Sequence, residues 1–101
     1  LGLAYLRADQ PERALGEFGR ALALEPGSAL ALHNRGLALL LMGQPDAARA
    51  DFERALGKDP CLFDALWNLR RLGVRKPLPS ACAWSERQRA LLVGPASSSA
   101  R

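Results

Sequence analysis

The chain has 101 residues, enough for one small domain, and 49% of them are hydrophobic with only six aromatic. Leu and Ala dominate, which favours helix over sheet, and the longest apolar run, Leu37 to Met42, is too short to span a membrane. The net charge of +4 is uneven: residues 1–62 carry seven Lys/Arg against eight Asp/Glu, and residues 63–101 carry seven against two. The first two thirds are balanced and the last third is basic.

In chain order, the pattern is already helical at residue 1. No Met and no signal-peptide pattern open the sequence, so a stretch of a longer protein is expected. Pro11 suits the first turn of a helix, and Ala14, Phe18, Ala21 and Leu22 then give one apolar stripe up to the Pro26-Gly27 stop. Ala29 to Met42 reads as the next helix. It is apolar almost all round, as buried helices are, and Gly43 ends it. Pro45 opens a third helix, with Asp46 at its positive end and Ala48, Phe52, Ala55 and Leu56 as its stripe. The charges Arg13, Glu17, Arg20, Arg49, Asp51, Glu53 and Arg54 are expected on the outer faces of these one-sided helices.

The two one-sided helices are copies. Aligning Gly2–Pro26 with Gly36–Pro60, an offset of 34 residues, gives 12 identities in 25 pairs without a gap. A fixed period of that size signals a repeat architecture. Gly2, Gly36, Ala14 and Ala48 are expected where helices cross closely.

After Pro60, Phe63 to Leu72 starts a third copy, but Arg70 stands in the slot of Gly36 and Glu86 in the slot of Phe52. "GVRKPLPS" then interrupts any hairpin. Phe63–Leu72 is therefore expected to cap the array. Ser85 and Gln88 form a capping-box pattern, so a short helix is expected within residues 80–93, and the "GPASSSAR" tail is expected to be disordered. The expected units are residues 1–28, 29–62, 63–73 and 74–101.

Leu1-Gly2-x2-Tyr5, Ala14-x3-Phe18, Ala21 and Pro26, followed by Leu32, Gly36, Leu39, Ala48-x3-Phe52, Ala55 and Pro60, resemble the tetratricopeptide repeat family. Arg35 departs from it, replacing the usual Leu. The resemblance implies an all-α solenoid of helix-turn-helix repeats: two near-complete repeats, then a degenerate third. It also implies a protein-interaction scaffold that holds a peptide or partner helix on a concave face. That face would be lined by Leu30, His33, Asn34, Leu37, Leu40 and Leu41, continued by Asp64, Trp67, Asn68 and Arg71, with Leu3, Leu6 and Arg7 at the other end. Asn34 and Asn68 share one slot, and their amides could meet a bound backbone. Trp67 is a candidate anchor, or else packs on the returning C-terminal segment near Trp84.

The alternatives are a docking module of a larger enzyme or assembly, and contact with nucleic acid or an acidic partner through a basic patch of Arg70, Arg71, Arg75 and Lys76. No aromatic is interleaved with that patch, so nucleic acid is not the expected partner. Nor is a chaperone C-terminal carboxylate: only Asn34 fits that clamp, while Leu3, Asp64 and Asn68 stand in its other slots. No catalytic constellation, phosphate loop or cofactor pattern is present, so no enzyme is expected. Cys61 and Cys82 are 21 residues apart with no Cys-x-x-Cys pair and one His in the chain, which argues against zinc. Reduced thiols in a cytoplasmic or nuclear protein are expected, with a disulfide as the alternative.

Overall fold

In a computed structural model, residues 10–93 are described. The expectations for Gly2, Leu3, Leu6, Arg7 and the 94–101 tail lie outside them. Five α-helices and no strand occur among the described residues: α1 (Pro11–Leu24), α2 (Ala29–Leu41), α3 (Pro45–Lys58), α4 (Phe63–Arg71) and α5 (Glu86–Val93). This is an all-α helical repeat fold, in which α2 packs against α1 and α3, α3 against α4, and α4 against α5.

The helix ends follow local chemistry. Pro11 and Pro45 open α1 and α3, where a missing N–H is harmless. The Ser28 hydroxyl accepts the Ala31 N–H and caps α2. Gly43 and Gly73, both at positive φ, end α2 and α4 in the same six-residue motif. In each the glycine N–H reaches back to Leu40 or Arg70, and the next N–H reaches Leu39 or Leu69. The capping box of α5 is complete: the Ser85 N–H donates to Gln88 and the Gln88 N–H to Ser85, both at 3.0 Å. That box fixes the helix start at Glu86 and leaves residues 80–85 outside it.

The core runs along the array. Leu22, Ala31, Leu32, Ala55 and Ala65 join α1 to α4, while Ala48, Phe52 and Leu69 are fully buried between α2, α3 and α4. Gly36 is the close crossing. A Cβ there would lie 2.7 Å from Phe52 Cε1, closer than carbon atoms approach, so only Gly lets the Phe52 ring lie on α2.

Three expectations are corrected. The first concerns Asp51, which is not on an outer face: it is 1% exposed. Arg35 grips it through two bonds, Nε to Oδ2 at 2.7 Å and Nη2 to Oδ1 at 2.8 Å, and Arg54 adds a third at 2.9 Å. The guanidinium in the usual Leu slot pulls the carboxylate inward, and their hydrogen bond raises the Arg35 pKa. The second is that α2 is not buried all round. Leu30 and Leu41 are 60% and 55% exposed.

The third correction is that the cysteines are not free thiols: a disulfide joins Cys61 to Cys82. The segment after α4 folds back far enough to bring them together. Trp84 Nε1 donates to the Cys61 carbonyl at 2.8 Å, and Arg89 donates to the carbonyls of Ser80 and Cys82 while lying 5.2 Å over the Trp84 ring. Lys76 ties the same segment to Glu53 on α3.

Candidate functional site

On α2, Leu30, Asn34, Leu37 and Leu41 recur at helical spacing and so share one face. On α4 the equivalent positions are Asp64, Trp67, Asn68 and Arg71. Together they form a surface with two depths. Leu41, Asp64 and Arg71 are exposed, as is Leu30, while Leu37 and Trp67 are half-buried. His33, Asn34 and Asn68 are buried, at 4%, 7% and 7% exposure.

Two of the buried three, His33 and Asn68, join α2 to α4. Asn68 donates an amide N–H to His33 Nε2 at 3.0 Å, which leaves the imidazole proton on Nδ1. Nδ1 is buried and meets no hydrogen-bond partner. The ring lies 5.3 Å from that of Phe52. Burial pushes the His33 pKa below its ordinary value, against the opposing pull of Asp64 and the Asn34 side chain, so the imidazole is neutral near pH 7. An uncharged ring suits a core joint, because burying a charge costs far more than burying a neutral ring.

Trp67 stacks on Phe63, ring centroids 6.4 Å apart, and Phe63 meets Trp84 edge-on at 6.5 Å. Phe63 thus stands between the two tryptophans, and Trp67 keeps part of its surface open. The basic patch is split by the fold. Arg70, Arg75 and Lys76 line a cleft on the C-terminal segment, and Arg71 is exposed elsewhere on α4.

Two features escaped sequence reasoning. The Arg35–Asp51–Arg54 cluster was signalled by a cation in an apolar slot, which demands an acid nearby. The cleft was signalled by Arg70 in a glycine slot, where a helix crossing as close as that of α3 over Gly36 has no room.

No described helix is long and apolar enough to cross a membrane. No curated protein and no solved structure matches the chain. A family model described as tetratricopeptide repeat matches residues 1–72, the span that holds both copies of the 34-residue pattern and reaches the end of α4. The helix hairpin of residues 29–58 and the Phe52-on-Gly36 crossing within it are what that family's pattern encodes. The chain accordingly belongs to the tetratricopeptide repeat family, whose repeats generally mediate protein–protein interaction and are typically non-catalytic scaffolds.

Proposed function

We propose that the chain is a non-enzymatic interaction scaffold and that the α2–α4 face is its protein-binding surface, taking a peptide or partner helix. The observation that carries this reading is the exposure of Leu30 and Leu41 on one helix face, at 60% and 55%. An apolar stripe beside a half-buried Trp and flanked by charges is the make-up of a binding patch. In this reading Leu37 and Leu41 contact the partner, Trp67 anchors it, and Asp64 and Arg71 fix its polarity. His33, Asn34 and Asn68 form the floor, which holds α2 and α4 at a fixed spacing. The cytoplasmic setting expected from the sequence rested on free thiols, and with Cys61 and Cys82 bonded that ground is gone.

A photo-crosslinking residue at position 41, compared with one at the exposed position 87, tests the surface. In an extract, position 41 should give discrete protein adducts that position 87 does not. Once a captured partner is purified, Trp67→Ala should weaken it by at least about 2 kcal/mol, roughly thirtyfold, while Glu53→Ala should leave affinity unchanged. Adducts that survive Trp67→Ala, or that form equally from position 87, would remove this face from the mechanism.

A further inference from the structure

Repeat 2 is closed by a glycine and an aromatic ring: Phe52 lies on Gly36 with no room for a Cβ. Thirty-four residues on, the same two slots hold Arg70 and Glu86. The Arg70 side chain spans the gap instead of a ring and donates to the Leu92 carbonyl of α5 at 2.6 Å. The returning segment is therefore propped off α4, and a cleft of about 310 Å³ opens. Its walls are apolar at Leu66, Val74, Leu78 and Leu92, and its cations are Arg70, Arg75 and Lys76. Lys76 is paired with Glu53, but Arg75 is exposed and makes no ion pair or hydrogen bond. Among the described residues, no acid lines the cleft. None of the α2–α4 face residues lines it either, so it is a separate site.

We propose that this cleft binds an acidic peptide segment of another protein through one bulky apolar side chain. The volume sits at the low end for ligand sites, right for a single large side chain rather than a cofactor. The apolar walls take that side chain into the place a repeat's own aromatic would fill. Arg75 and Arg70 then receive flanking carboxylates; a guanidinium can bind a carboxylate through two parallel hydrogen bonds. The uncompensated positive charge of residues 63–93 steers acidic partners to this end of the array.

The test is an NMR titration of the 101-residue chain. The probe is the peptide acetyl-Asp-Glu-Phe-Glu-Asp-amide, and the control has Asn and Gln for Asp and Glu. The expected result is saturable binding that perturbs the methyl groups of Val74, Leu78 and Leu92. Arg75→Ala should weaken it at least about tenfold, and Arg75→Glu should abolish it. Arg75 has no structural partner, so both variants should fold, and an unchanged dispersed spectrum verifies that. Raising salt from about 50 to about 300 mM should weaken binding several-fold. Four results would each overturn the proposal. They are equal affinity for the neutral control, perturbation centred on Leu37 and Leu41, tighter Arg75-dependent binding of polyuridine than of the peptide, and binding that appears only after residues 94–101 are removed.

Discussion

At the residue scale, the Arg35–Asp51–Arg54 cluster shows how one exchange forces another. A cation between packed helices is tolerable only beside an acid, and an acid is buried only beside cations. Asp51→Leu should cost about 2–3 kcal/mol, because it removes three charge-assisted bonds and leaves Arg35 partly buried without its partner. Arg35→Leu alone should also destabilise, since Asp51 keeps only the exposed Arg54. The double change Arg35→Leu with Asp51→Leu should recover most of the loss, because similar-sized apolar pairs replace buried ion pairs with little net cost. Urea midpoints of the four proteins check this; additive losses would refute the coupling. His33 gives a pH prediction. Its folded pKa lies below 6.5, so as pH falls through that value the unfolded chain gains a proton that the folded chain refuses. Stability should therefore be full above about pH 7 and decline towards pH 5, with His33→Gln flattening that segment of the profile. It is the chain's single His, so the window is clean. The Arg35 exchange was visible in the sequence as an oddity, but its partner sits 16 residues away and was read as a surface charge. Local spacing on α3 cannot reveal what α2 presents to it.

At the scale of the element, helix ends were the most legible part. Proline at a first turn and glycine after a last one act through local backbone geometry, so Pro11, Pro45 and Gly43 need no tertiary context to be understood. The same holds for Ser85 and Gln88, which meet across one turn. The hairpin of α2 and α3 was legible because its period repeats. Phe52 is its lock: the side chain is fully buried and the ring reaches Gly36 and His33. Phe52→Ala should cost roughly 3–5 kcal/mol, visible as lost helical circular dichroism at 25 °C or a steep fall in urea midpoint. Wild-type melting in that variant would contradict this packing. Residues 74–85 were illegible. They carry no period, and their route is set by long-range contacts: Trp84 to the Cys61 carbonyl, Arg89 to three carbonyls, and the disulfide. The candidate surface was half legible: family slots name its residues, but not that the two asparagines lie beneath it rather than on it.

At the scale of the whole molecule, each described helix leans mainly on its sequence neighbours, so stability is a chain of local joints. The Cys61–Cys82 bond supports the last joint by closing a loop of separation 21, worth about 3 kcal/mol in chain entropy. It also changes how the protein responds to tension. All of α4 lies inside that covalent ring, so a pull on the two ends passes from Cys61 to Cys82 through sulfur and bypasses the helix. The bypassed stretch would span roughly 70 Å if drawn out at about 3.4 Å per residue, against 5.3 Å between the two Cα atoms as bonded. Stretched between optical traps, the oxidised protein should therefore give up roughly 65 Å less contour length on full unfolding than the same molecule after reduction. Equal lengths in the two states would mean that the ring is open. Under tension the closed ring is a region that force cannot unwind, and α4, with Trp67 and Asn68 on it, lies within that region.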